Sequence, residues 1–215
     1  MNRRNFIKTS GLSLAGTLMI DSLYALSDEH SKRVINLPDE VSAIVNNHSV
    51  KLLKIKRGEH WTYQDLIVTL KNTETSLAIE LQAPKIELSS VTLQWKTSLK
   101  NFSSILNDQW ERTYGDISWH KPVETEILPW YFIEYNGKKT NCCGVKTGAN
   151  SFCYWIVDDN KLSLTLDLRS GGNGVQLADR QLKVAEIVTL SGDLGESTFQ
   201  VARRFAKMMC DKVLM

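Results

Sequence analysis

The feature that most constrains this chain is a series of short apolar runs, spaced about ten residues apart and separated by turn residues. Val50–Lys56 alternates imperfectly. Leu66–Leu70, Leu77–Leu81 and Val91–Trp95 follow, rich in β-branched and aromatic residues. Runs this short favour strands over helices. Arg57-Gly58, Lys71-Asn72-Thr73 and Ala83-Pro84 punctuate them. The second half continues with Pro129–Tyr135, Phe152–Val157 and Leu182–Leu190. Between them, Leu162–Leu168 places Leu at every second position and Ser, Thr and Asp in between. Asn136-Gly137 predicts a type I′ hairpin turn. This spacing implies an all-β chain, an antiparallel β-sandwich.

The period changes only near the end. From Ser197 to Met209, Phe199, Ala202, Phe205, Ala206 and Met209 recur at helical spacing, Ser197 stands at the N-cap, and Gly195 precedes it. The organisation expected is an address at 1–27, a sandwich at 28–194 and a helix at 195–215.

The address has three parts in order. Arg3, Arg4 and Lys8 are basic, Leu12–Ile20 is mildly apolar, and Ala25-Leu26-Ser27 offers a cleavage site. Asn2-Arg3-Arg4-Asn5-Phe6-Ile7-Lys8 is similar to the twin-arginine export motif. Export to the periplasm or exterior of a bacterium is the expectation. Without these residues the chain carries 23 basic and 23 acidic side chains. That balance argues against a nucleic-acid partner. No apolar run reaches the roughly 18 residues of a membrane-spanning helix.

Metal and cofactor chemistry finds little support. Cys142 and Cys143 are adjacent, so on a strand they point to opposite faces. The four His are scattered, without His-Glu-x-x-His spacing, and no Cys-x-x-Cys occurs. No cofactor and no metal site are expected. Lys146-Thr147-Gly148 lacks the partner boxes of penicillin-recognising enzymes and reads as a turn. Gly171-Gly172-Asn173-Gly174 is not followed by the Gly-Lys-Ser/Thr of a phosphate loop.

The stretch Leu106–Pro122 breaks the strand pattern. It holds Trp110, Arg112, Tyr114, Asp116, Trp119 and His120. Flat aromatics stack on the apolar face of a sugar ring, and carboxylates and Arg offer fixed partners for hydroxyls. Equally, the two Trp could anchor the loop in the core while the charges face solvent. Residue types leave both readings open.

Several segments together carry a resemblance. Asp108–Asp116, Pro129–Phe132, Gly144–Cys153, Asp167–Gly172 and Met208–Asp211 resemble, in order, the N-terminal β-sandwich region of bacterial α-galactosidase-like glycoside hydrolases (family 36 and relatives). The likeness spans about residues 34 to 213. It implies a galactose-mutarotase-like supersandwich, an α-galactoside-type carbohydrate partner, and a retaining hydrolysis by two carboxylic acids. In that family both acids lie in a (β/α)₈ barrel following the sandwich. The chain ends where that barrel should begin. It is therefore expected to be a non-catalytic fragment, with no catalytic residue of its own and a connector helix toward the barrel. Carried over residue by residue, Trp110, Arg112, Tyr114 and Asp116 are the candidate sugar contacts, with Trp119 behind them and His120 last. A stand-alone carbohydrate-binding sandwich is the other reading.

Overall fold

The computed structural model describes residues 36–55, 59–73, 75–97, 102–110, 117–158 and 160–210. The segment expected to direct export, and Arg112, Tyr114 and Asp116, lie outside the described residues. The strands form two antiparallel sheets packed face to face, with one helix against the outside. This is the all-β sandwich with a C-terminal helix that the pattern implied.

One sheet has six strands. In spatial order these are β2 (His48–Lys51), β1 (Glu40–Val45), β7 (Leu88–Lys96), β13 (Lys161–Asp167), β12 (Phe152–Val157) and β9 (Ile127–Pro129). The other has eight: β3 (Leu53–Ile55), β4 (His60–Tyr63), β5 (Leu66–Asn72), β6 (Ser76–Gln82), β14 (Leu182–Ser191), β11 (Thr140–Val145), β10 (Tyr131–Tyr135) and β8 (Ser104–Asn107). Alternation decides which way each strand faces. Leu162, Leu164 and Leu166 on β13 are fully buried between the sheets, while Ser163, Thr165 and Asp167 point outward. Trp61, Trp95, Trp155 and Phe132 fill the same core.

Two expected strands are interrupted. Val50–Lys56 splits at Leu52, whose buried side chain and backbone bond to Val41 O (2.9 Å) mark the passage from β2 in one sheet to β3 in the other. Pro129–Tyr135 breaks at Trp130 for the same reason. Leu106 and Asn107, expected in a loop, belong to β8.

The turns also differ. Asn136 does not take the positive φ that a type I′ turn requires. Its Oδ1 instead accepts the amides of Lys138 (3.0 Å) and Lys139 (2.9 Å), giving a four-residue Asx loop between β10 and β11. A two-residue turn with both φ positive is found instead at Asn46-Asn47 (49° and 63°), joining β1 to β2.

The helix, α1 (Thr198–Met209), docks on the outer face of the eight-stranded sheet. Val201 and Phe205 are buried against Ile133, Cys142 and Val188, with Ala202 and Met209 packed beside them. The apolar face thus finds its partner within the chain. It is also centred differently from the expected stripe: Phe199 is 74% exposed and Ala206 is exposed. Phe199 lies two residues, about 200° of rotation, from Val201, so covering the Val201–Phe205 seam turns Phe199 to water. Ser197 occupies the N-cap without a side-chain cap bond. Thr140 Oγ1 meets Thr198 Oγ1 (2.8 Å) at one end, and the Thr147 amide donates to Met209 O (2.9 Å) at the other. Gly144 permits this approach. A Cβ there would stand 2.7 Å from Tyr131 Cβ and 2.9 Å from Phe205 Cζ.

With sheet on one side and helix on the other, β11 is buried along its whole length. Cys143 enters the main core and Cys142 the layer beneath α1, the opposite facing expected for neighbours on a strand.

Phe205→Ala is expected to cost about 3–5 kcal/mol in urea unfolding. Phe199→Ala should change stability by less than about 0.5 kcal/mol. Equal costs would contradict this docking of the helix.

Candidate functional site

The functional residues are best approached from the corner at Trp130. Its φ is 62°, a left-handed conformation that costs a bulky residue about 1–3 kcal/mol. Three hydrogen bonds hold it there. Its amide donates to Cys153 O (3.0 Å) on β12, and its carbonyl accepts from the Val145 amide (3.0 Å) on β11 and from Trp155 Nε1 (3.2 Å). Both sheets therefore grip the residue where the chain passes between them. The Trp130 ring is only partly buried.

Trp110 stands over that corner. Its ring centroid lies 5.6 Å from Trp130, 6.4 Å from Phe152 and 6.4 Å from Tyr154, each at 72–74°. Trp130 and Phe152 are 6.3 Å apart. Such edge-to-face contacts give a cluster more rigidity than burial alone. Yet Trp110 is 46% and Phe152 61% exposed, so broad apolar faces remain open to water. Trp110 does not anchor its loop in the core.

The loop's base is built from backbone and polar groups. Ile105 and His120 exchange both backbone bonds (2.8 and 3.0 Å) and close it. Buried Asn107 donates from Nδ2 to Asp108 O (2.9 Å), and Asp108 Oδ1 accepts the Gln109 amide (3.0 Å). His120 serves the same end: its Nδ1 lies 3.0 Å from Ser118 O and its Nε2 2.8 Å from Glu126 Oε1.

Polar chemistry adjoins the rings. Asp167 is directly opposite Phe152 in the β12–β13 register. Arg169 Nε donates to both its oxygens (3.0 and 3.1 Å), and these bonds hold the Asp167 carboxyl below its ordinary pKa. The result is a charge-balanced fork beside an aromatic wall.

Of the residues named from sequence, the structure brings Trp110 into this cluster. Trp119 is 41% exposed and makes no ring contact with it among the described residues. Trp130, Phe152, Tyr154, Asp167 and Arg169 were not singled out. A signal existed: Phe152-Cys153-Tyr154-Trp155 puts aromatics on both faces of a strand, one more face than the core needs.

The most strongly shifted carboxyls, Glu134 and Glu186, lie elsewhere, and the shifted thiols face the interior. Glu134 is 1% exposed. Burial pushes its carboxyl up to about 7, against the pull of Asn141 (Nδ2 to Oε2, 2.7 Å) and the Ser103 backbone. Oε1 is buried without a hydrogen-bond partner. A raised carboxyl pKa often marks an active site, but this one faces the interior. Glu186 shows the opposite balance. Its partial burial would raise it, but bonds from Lys183, Ser76 and Lys146 outweigh that and hold it at about 2. Burial raises the thiols of Cys142 to about 12 and Cys153 to about 11, and lifts Cys143 too. Such thiols are inert as nucleophiles. Among the described residues no group of three or more His, Cys, Asp or Glu side chains could hold a metal, and no helix is long and apolar enough to cross a membrane.

An open cavity of about 460 Å³ is lined by Asn150, Leu168, Leu177 and Arg180 among others. Arg180 Nε donates to Leu177 O (3.1 Å), so part of its fork is already engaged.

Comparison of the chain with protein-family models, with curated proteins and with solved structures finds no significant match.

Glu134 generates a pH prediction. Its folded pKa of about 7 exceeds the ordinary 4.5, so folding takes up a proton between those values. Its contribution to stability is intact below pH 4.5 and is lost as pH rises to about 7. The wild type minus Glu134→Gln difference in unfolding free energy should drop by on the order of 3 kcal/mol between pH 4.5 and 8. A pH-independent difference would contradict the buried carboxyl.

Proposed function

We propose that this chain is an exported, non-catalytic β-sandwich of the α-galactosidase-like glycoside hydrolase type, and that it binds α-galactoside-type carbohydrate. The observation that carries the reading is the half-exposed cluster of Trp110, Trp130, Phe152 and Tyr154 beside the Asp167–Arg169 fork. An aromatic face desolvates the C–H side of a pyranose. The fork offers a carboxylate acceptor and guanidinium donors to its hydroxyls. Trp110, Arg112, Tyr114 and Asp116, the contacts the family likeness suggests, share one stretch of sequence, and of these Trp110 leans on this cluster. The ordered motifs of that likeness run through the same segments: Pro129–Phe132, Gly144–Cys153 and Asp167–Gly172.

In this reading hydrolysis belongs to a barrel partner, and the sandwich shapes the sugar subsite. Cys142, Cys143, Cys153 and the strongly raised Glu134 carboxyl are buried in the interior, which fits a binding role. One observation favours a stand-alone carbohydrate-binding module instead: α1 covers its apolar seam on its own sheet and needs no barrel to do so. Both readings share the sugar site.

Isothermal titration of the purified chain with methyl α-galactoside tests that site. Saturable binding is expected, weakened about tenfold or more by Trp110→Ala and by Trp130→Gly. The second change removes the ring but suits the positive φ. No α-galactosidase turnover is expected. Absence of binding at millimolar sugar, or robust turnover, would contradict the proposal.

A further inference from the structure

The strand register places a row of hydroxyls across the outer face of the six-stranded sheet. Tyr154 pairs with Thr165, Thr165 with Thr92, and Thr92 with Ser42. All four share the face opposite the core, because Trp155, Leu164, Leu166, Leu93 and Val41 beside them are buried inward. Thr92 Oγ1 and Thr165 Oγ1 are 3.1 Å apart. The neighbouring rows on these central strands hold Ser90, Gln94 and Ser163, of which Ser90 and Ser163 are buried, and continue to Ile44 and Ile156 on the flanking strands. The row itself is therefore a floor of hydroxyls, each able to donate and accept. It begins at Tyr154, a member of the aromatic cluster.

We propose that this face is an extended subsite for a neutral oligosaccharide, which leaves the aromatic cluster and crosses the strands along the Tyr154–Thr165–Thr92–Ser42 row. The inference rests on the sugar-binding reading and deepens it: the ligand is a chain of sugars, not a single ring. Three inter-strand steps span about 14 Å, longer than one pyranose.

Charge selects the class of partner. The charges bordering the row are matched, with Glu40 bonded to Lys51 and Asp167 to Arg169. Lys96 and Lys161 pair with each other only at the far margin. A polyanion needs unmatched cations along its path. A protein interface needs an apolar centre, and here the centre is hydroxyl. The other sheet's outer face contrasts with this one. It carries α1 and the ion pairs Lys71–Glu80, Lys146–Glu186 and Lys183–Glu186, formed by long side chains, which leave no comparable floor.

The test is calorimetric titration of the intact chain with α-galactosides of one to four sugar units, for the wild type and for the double variant Thr92→Val, Thr165→Val. Val keeps the shape and strand preference of Thr and removes its hydroxyl; circular dichroism and thermal melting check the fold. Affinity should rise with chain length. The double variant should lose about tenfold for the tetrasaccharide and bind the monosaccharide like wild type. Affinity independent of length, with monosaccharide binding retained, overturns the extended subsite and leaves the aromatic site standing. Equal tetrasaccharide binding by a folded double variant overturns it too. No binding at any length overturns both. Concentration-dependent dimerisation abolished by the double variant, seen by sedimentation, would assign the face to a second copy of the chain and overturn the glycan.

Discussion

The architecture turns on the three hydrogen bonds that hold Trp130. The chain must pass from β9 in one sheet to β10 in the other between two consecutive strands. A left-handed φ makes that corner in one residue. Glycine would adopt it without strain, and tryptophan does not. The cost is offset because Cys153 O, Val145 N and Trp155 Nε1 together satisfy both backbone groups of the corner. The same geometry sends an indole out of the sandwich, where Trp110 and Phe152 meet it. Strain, sheet crossing and aromatic surface are one feature.

The chemistry in the interior and on the surface is divided. Within the sandwich and beneath α1, burial drives Glu134 and three thiols toward neutral forms that do not react. At the surface, several charges are paired, and a row of hydroxyls crosses one sheet. That division suits recognition of a neutral, hydroxyl-rich partner. The sandwich supplies rigidity, and its edges and outer faces supply contacts.

Much of the fold was legible because alternation is a local signal. Leu162–Leu168 could hardly face any other way, and β5, β6, β7, β12 and β14 were read within a few residues. Shorter or mixed segments escaped. His60-Trp61-Thr62-Tyr63 and Ser104-Ile105-Leu106-Asn107 form β4 and β8 only because neighbouring strands pair with them. Asn136-Gly137 looked like a two-residue turn, but the Asn136 carboxamide captured two amides and widened the loop. The helix was recognised, while its buried seam depended on a sheet face formed by residues far away in sequence. The site divides similarly. Trp110 stood out in a loop of unusual composition. Trp130 and Phe152 looked like ordinary strand residues, because a positive φ and a cross-strand register are tertiary facts.

The proposed sugar platform consists of Trp110 and Trp130 on an otherwise inert sandwich. The chain has six tryptophans, and each gives an indole N–H resonance. Trp61, Trp95 and Trp155 lie in the core, while Trp119 stands apart from the cluster. Titrating an α-galacto-oligosaccharide into ¹⁵N-labelled protein should therefore move the Trp110 and Trp130 indole signals with one shared, saturating dependence. Trp61 and Trp95 should stay in place. Unmoved Trp110 and Trp130 signals at saturating sugar, or shifts confined to Trp119, would contradict the account.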